Sequence, residues 1–523
     1  KKLKDVKTDA GTAAMVKKAV ERKWIGVLNE YWINQVLSGY KTHMLNMTSN
    51  SINLFLLPAE RFAGGVAIGV KSGDYTQAKV AMKQYKYLFS SFTDSIQLAA
   101  KTGWNERATL DSSIKYDVGG GSKQAKMTAE NFGLQGTTRG SAIDAVGKLF
   151  RMPSRFLLAE DEFFKQLSFR SRLKAMLEVD AEMLSPDELT KMGYATKDDF
   201  FKGELDKALV SQTDALERYQ ELVLTGKILD DPQVKEQFVQ QSLGGFNSKS
   251  KYAEQAIREA RNTTFTNPLE KGSFSASIQE LASRHPVMRQ IIPFIQTPMN
   301  VMSTAWDRTP VLNMARRQYR EALKSPDPNI RAEAYGKLAT GTTIVGTLAM
   351  LGLDGRITGG GPTDPKKAAF WRASKDWQPY SINFGTAEKP NWVSYAKLDP
   401  HTTLFGIVGD IVEMNAYQNS TPDADNSALW AMTIAAVGNN IVSKTYLQGI
   451  SDVVTLLDSK DKPWAVEQFI NQKVASFVPF SSLQSQVGQA NDDYMREARG
   501  FLDTVKSKWL LSRADLPIKY DWL

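Results

Sequence analysis

The chain has no cysteine, only three histidines, and no apolar run of the roughly 20 residues that a membrane-spanning helix needs. Without thiols there can be no disulfide, no thiolate-bound zinc and no cysteine nucleophile. His43, His285 and His401 are widely separated, so neither a histidine metal site nor a histidine-based triad is expected. Strand-like alternation is confined to one short region. Two strings that brush against known motifs fail on spacing. GSAIDAVGKL (Gly140 to Leu149) contains Gly-Lys, but its glycines are misplaced and Leu149 stands where a phosphate-binding loop has Ser or Thr. Ser248 and Lys251 have serine-x-x-lysine spacing, but the companion motifs of that enzyme class are missing. No cofactor, metal or catalytic set is therefore expected.

What is present is amphipathic helix. The composition is 42% hydrophobic and 23% charged over 523 residues, which is globular rather than disordered. The formal charge of +8 permits contact with nucleic acid or an anionic surface without requiring it. Met15, Ala19, Trp24, Val27, Leu28, Tyr31 and Trp32 recur at helical spacing after a capping Thr12. SINLFLLPAERFAGGVAIGV (Ser51 to Val70) reads as two apolar pieces parted by Pro58, Glu60 and Arg61. A long helix is expected from Asp74 to about Lys101, ended by Gly103, then a Gly/Ser/Thr-rich loop to about Gly140.

From Ser141 to Arg284 helix follows helix, with starts expected at Pro153, at the Ser185–Glu188 capping box and at Asp231. The acidic run Glu160, Asp161 and Glu162, set among Arg155, Lys165, Arg170 and Arg172, reads as a solvated helix surface laced with i,i+4 pairs. Asp198 to Lys227 reads as an exposed helical arm. Val311 to Lys324 reads as one helix with Arg316, Arg320 and Lys324 in a row, a candidate face for DNA or other phosphate. Gly341, Gly346 and Gly352 lie on an apolar helix, where small residues allow close approach. Gln378 to Leu398 reads as a β-hairpin, the one convincing strand pair.

Arg284 to Pro310 is the most distinctive stretch. Pro286, Pro293, Pro298 and Pro310 interrupt an apolar segment and make a candidate hinge of short jointed helices. PFIQTPMNVMSTAWDRTP (Pro293 to Pro310), ITGGGP (Ile357 to Pro362), WQPYSINFG (Trp377 to Gly385) and VSYAKLDP (Val393 to Pro400) resemble the large polyvalent protein-associated domains of tailed phages, in particular their internal virion, or ejection, proteins. FLLAEDEFFKQLSFRSRL (Phe156 to Leu173), RNTTFTNPL (Arg261 to Leu269) and the closing stretch from REARGFLDTVKSKW to LP (Arg496 to Pro517) extend the resemblance from about Arg151 to the end.

The resemblance implies a protein stored inside the virion and expelled into the host envelope, oligomerising into a core or channel for genome delivery. The partners it implies are further copies, other internal virion, portal or tail proteins, genomic DNA and the host inner membrane. It also implies that any peptidoglycan-cleaving domain lies elsewhere in a longer parent chain. The start at Lys1 without Met agrees with a piece of something longer. The expected fold is mainly α, an elongated multi-helix assembly with one small β-hairpin. The regions expected are 1–140 (amphipathic helical), 141–284 (helical), 285–420 (proline-jointed helices with the hairpin) and 421–523 (C-terminal helical). The alternatives are a membrane-active pore-forming or effector protein, and an enzyme that cleaves peptidoglycan through Glu160 or Glu162.

Overall fold

The computed structural model describes residues 27–106, 108–110, 127–209, 212–231, 234–235, 238–239, 250–269, 296–310, 312–362, 370–371, 373, 377–386, 388–396, 402–420, 471 and 474–519. Within them the fold is mainly α with one small hairpin. Residues 27–37 form α1, followed by α2 (Tyr40–Ser72), α3 (Thr76–Ser90), α4 (Phe92–Asn105), α5 (Ala129–Phe132), α6 (Thr138–Phe150) and α7 (Met152–Met183). Next come α8 (Pro186–Lys191), α9 (Lys197–Ala208), α10 (Gln212–Leu224), α11 (Lys251–Thr263), α12 (Gln296–Arg308), the single turn α13 (Leu312–Ala315), α14 (Arg317–Leu323) and α15 (Pro328–Leu353). The hairpin β1 (Ser381–Asn383) and β2 (Trp392–Ser394) precedes α16 (Thr403–Ser420), α17 (Ser481–Ala490) and α18 (Phe501–Lys508).

Local signals place many of these ends. Pro153 sits in the first turn of α7, where its missing N–H is no loss. Ser185 and Glu188 close a reciprocal capping box on α8. The Asp231 carboxylate accepts the Val234 N–H at 3.1 Å. The hairpin is antiparallel, Ile382 facing Val393.

Helix α7 is the axis of the main core. Phe169, Leu173 and Leu177 are fully buried against α3, α9 and α11, together with Phe200, Tyr252, Ala253 and Ala256. The segment expected as an exposed arm is therefore partly inside: Phe200 and Ala208 on α9 are fully buried. Phe201 and Leu205 pack against the same core, and among so many charges this apolar side shows only once its pocket exists. A second core joins the C-terminal half of α15 to the hairpin and α16 through Leu348, Ile357, Tyr395, Leu404 and Val408.

The expectation of two pieces around Pro58 is corrected. Helix α2 runs unbroken for 33 residues through Pro58. An interior proline costs a helix about 3 kcal/mol, and burial of Leu54, Leu57, Glu60 and Arg61 on flanking helices outweighs it. The expected single helix from Asp74 is instead two, α3 and α4, meeting at the buried Ser91, and α4 runs past Gly103 to Asn105. Of the hinge prolines, Pro286 and Pro293 lie outside the described residues. Pro298 is buried within α12, so no joint forms at Thr297, whereas Pro310 follows the end of α12 at Arg308 as expected.

The crossing of α2 and α15 brings backbone against backbone. A Cβ added at Gly64 would overlap the Ala332 carbonyl, one at Gly336 the Glu60 carbonyl, and one at Gly341 the Arg308 carbonyl. Gly352 meets the Val412 side chain, while Gly346 has nothing within 4 Å. Gly336→Ala is therefore expected to lower unfolding free energy by about 1–3 kcal/mol through overpacking. Gly346→Ala in the same helix should raise it by about 0.5–1 kcal/mol through helix propensity. Denaturant unfolding of the two variants checks the contrast.

Candidate functional site

Charged residues carried by five helices converge around the α2–α15 crossing. Glu60 is 1% exposed and takes a two-pronged ion pair from Arg308, Nε to Oε1 at 2.6 Å and Nη2 to Oε2 at 2.8 Å. Thr340 of α15 donates its hydroxyl to the same carboxylate at 3.0 Å. One residue on, Arg61 reaches Glu259 of α11 at 2.5 Å, and Arg172 of α7 approaches the same carboxylate at 3.4 Å. Arg172 also donates to Asn329 of α15 at 2.8 Å. Each buried charge thus has a partner on another helix, which the desolvation of a carboxylate or guanidinium demands.

Outward of this knot lies Lys337, bridging Glu333 at 2.9 Å and Asp307 at 3.4 Å. Burial alone would push the Glu333 carboxyl up, but Lys337, Arg258 and Arg61 outweigh it and hold it at about 2. Burial would likewise pull the Lys337 ammonium down, yet Glu333 and Asp307 keep it above its ordinary range.

A cleft of about 1050 Å³ opens beside Lys337 between α11, α12, α14 and the first turns of α15. Among the described residues six cationic side chains line it, Arg258, Arg316, Arg317, Arg320, Lys324 and Lys337, against three acids, Asp307, Glu321 and Glu333. The three cations singled out in the sequence thus share one cleft, but not as a row on one helix. Arg316 is in extended backbone between α13 and α14, with φ −82° and ψ 123°. Its guanidinium pairs with Asp307 and donates to the Ser303 carbonyl at 3.0 Å. Arg320 donates through Nη1 to the carbonyls of Met314 and Ala315 at 2.6 and 3.1 Å, capping the end of α13. The break relieves the like-charge row that a continuous helix would have carried. Arg258, across the cleft on α11, was not marked by any local sequence signal.

The acidic run on α7 departs from expectation. Glu160, Asp161 and Glu162 are 7%, 7% and 0% exposed, so they do not form a solvated surface. Glu160 accepts from His43 at 3.1 Å and Asn46 at 3.0 Å, and Asp161 accepts from Asn46 and Asn50 at 3.1 and 3.4 Å. Glu162 is bound by Thr109 and by Gln166 at 2.7 Å. Three polar residues of α2 on one helical face, His43, Asn46 and Asn50, are what bring these carboxylates inside. Burial pushes Asp161 up to about 6, against the pull of Lys165 and Asn46. The carboxylates bind neighbouring side chains, with Glu162 sealed from solvent, which is poor geometry for a general acid and base pair that must reach a sugar.

In the hairpin region, the ITGGGP turn is held by carboxylates of α16. Gly360 donates its N–H to Asp410 at 2.8 Å and Gly361 to Glu413 at 3.0 Å, while the Trp377 indole donates to Glu413 at 2.7 Å. Trp377, Tyr380 and Tyr395 thus serve packing: Tyr380 and Tyr395 meet edge-on, and Tyr395 donates to the Thr358 carbonyl at 2.6 Å. Among the described residues no group of three His, Asp or Glu side chains is placed to hold a metal ion.

Comparison of the chain with protein-family models, with curated proteins and with solved structures finds no match.

Two predictions follow from these buried charges. Glu60→Gln leaves Arg308 buried without a counter-charge and should lower stability by about 3–5 kcal/mol; Glu60→Met with Arg308→Met should recover much of the loss, read by denaturant unfolding. For Asp161, a folded-state pKa above the unfolded one means the favourable contribution belongs to the protonated form. It is present below about pH 4 and lost as pH rises through about 6. Asp161→Asn is thus expected to stabilise by about 1–3 kcal/mol at pH 8 and by almost nothing near pH 4, checked by unfolding at both values.

Proposed function

We propose that this chain is a structural protein of a phage particle, of the internal virion or ejection type its sequence resembles, and that copies associate through α2 into a core or channel for genome delivery. The observation that carries the reading is an inverted distribution of polarity on that helix. Between Lys41 and Lys71 its only ionisable side chains are His43, Glu60 and Arg61, and all three point inward; Glu60 is 1% and Arg61 6% exposed. Its solvent face carries Tyr40, Met44, Met47, Phe55, Phe62 and Val70, from 38% to 73% exposed. Positions 40, 44, 47, 55 and 62 fall on one side of a 3.6-residue helix.

A stripe of 30 residues is ~45 Å long at 1.5 Å per residue. With the flanking side chains it offers on the order of 700 Å² per copy, near the ~800 Å² per partner of a stable interface. An uncharged face of that size, on a helix whose charges are turned inward, favours another protein surface. A second copy supplies the same uncharged stripe, so the two faces match without an unpaired charge. The other members of α2's environment make the choice self-consistent: α3, α7 and α15 already cover the remaining sides.

Among the described residues no helix is long and apolar enough to cross a membrane. A channel through an envelope would on this reading be built from many chains side by side. The protein acts without chemistry of its own, any bond-breaking belonging to a separate domain or partner.

Sedimentation and electron microscopy test the reading. Chains paired through α2 are expected, with rings or tubes of many copies needing a second contact, and Met44→Glu with Phe55→Glu should return the pairs to single chains without lowering the melting temperature. A chain that stays monomeric at all concentrations yet makes lipid vesicles leak would support the pore-forming alternative instead and defeat the proposal.

A further inference from the structure

We propose that the cleft between α11 and α14 is a binding site for the phosphodiester backbone of duplex nucleic acid, formed by Arg258, Arg320 and Lys324. The cleft's acids are already answered from within: Asp307 by Arg316 and Lys337, Glu333 by Lys337, and Glu321 by Arg317 at 2.7 Å. Arg258, Arg320 and Lys324 are left, and among the described residues none of them has a carboxylate at ion-pair distance. Arg258 is half-buried and feels Glu333 only at longer range, making no ion pair among the described residues, so its guanidinium can still meet an incoming anion directly.

Arg320 is preorganised for such a ligand. Its Nη1 is spent on the Met314 and Ala315 carbonyls, which fixes the guanidinium plane and leaves its other N–H groups toward an exposed surface. Lys324, exposed at the C-terminal end of α14, adds a mobile charge on the same rim. A volume of about 1050 Å³ holds more than one phosphate group.

The lining also decides the kind of nucleic acid. Single strands are held largely by bases stacked on aromatic rings. Among the described residues the one aromatic side chain of the cleft, Tyr319, is 3% exposed and donates its hydroxyl to the Ala334 carbonyl, so it offers no stacking face. What remains is charge directed at phosphates, which binds duplex without reading sequence. This inference does not depend on self-association, because the uncharged stripe lies on α2 and the cleft is lined by none of its residues.

Fluorescence anisotropy with mixed-sequence DNA duplexes tests the site. Affinity should be the same for unrelated sequences and fall with salt at a log–log slope of about −3, as three neutralised phosphates would give. Arg258→Ala with Lys324→Ala should weaken binding at least about tenfold at low salt and flatten the slope toward about −1, with the melting temperature held. Because Arg258 is half-buried, the exposed Lys324→Glu variant repeats the reading without touching the core and should also weaken binding severalfold. Wild-type affinity in both variants, a salt-independent affinity, or no duplex binding by a chain that binds pyrophosphate at low millimolar concentration would overturn the proposal. The last result would assign the cleft to a small phosphorylated ligand. The Met44→Glu, Phe55→Glu variant should bind duplex per chain as the unaltered protein does, which separates this test from the assembly test.

Discussion

The Glu60–Arg308 pair sets the constraint around which the central helices are arranged. A carboxylate at 1% exposure is tolerable only if its partner arrives in a fixed geometry, and here that partner comes from 248 residues away and approaches with both prongs. For Arg308 to reach Glu60, α12 must lie against α15, and the Gly341–Arg308 backbone contact is where it does so. For Thr340 to add its hydroxyl, α15 must come within backbone distance of α2, which the absence of a side chain at Gly336 and Gly64 permits. Glycine, glutamate and arginine thus act as one device. The glycines close the distance, and the distance makes the buried charges affordable.

The same arrangement explains why the surface is unlike that of an ordinary soluble helix bundle. Charges that α2 would normally show to water are turned inward onto α11, α12 and α15, and its outward face is left to Met, Phe, Tyr and Val. The outer end of the charged network becomes the cleft wall, where Lys337 and Arg316 neutralise Asp307 and Glu333 and, among the described residues, Arg258, Arg320 and Lys324 make no ion pair. Turning the charges of α2 inward is what leaves its outer face uncharged, whereas the cations of the cleft are carried by α11, α14, α15 and the residues beside them.

Much of the local architecture was legible in contiguous residues. The Ser185–Glu188 capping box, the proline in the first turn of α7, the Asp231 cap and the alternation across 381–394 all depend on interactions within a few positions, so the chain itself carries the information. Close approach at Gly341 and Gly352 was legible for the same reason, since the lack of a side chain is a local fact. The misreadings share one cause. Glu160, Asp161 and Glu162 looked solvated because charge normally is, and Pro58 looked like a break because proline normally is. Arg316, Arg320 and Lys324 looked like a helical row because their spacing is four. In each case a partner outside the local helix changed the balance: Asn46 and Asn50 for the carboxylates, the flanking helices for Pro58, and Asp307 at the end of α12 for Arg316.

By itself, then, the amino-acid order determined the class of the protein: helices from periodicity, one hairpin from alternation, and no thiol chemistry because there is no thiol. It also marked three of the cations that line the cleft. Only tertiary structure decided which charges face inward, that Arg258 joins Arg320 and Lys324 across 62 residues of chain, and that the outer side of α2 is bare of charge. Helix periodicity is set by forces within a turn, whereas the sign and depth of a burial site are set by whatever folds over it, and that neighbour can lie hundreds of residues away.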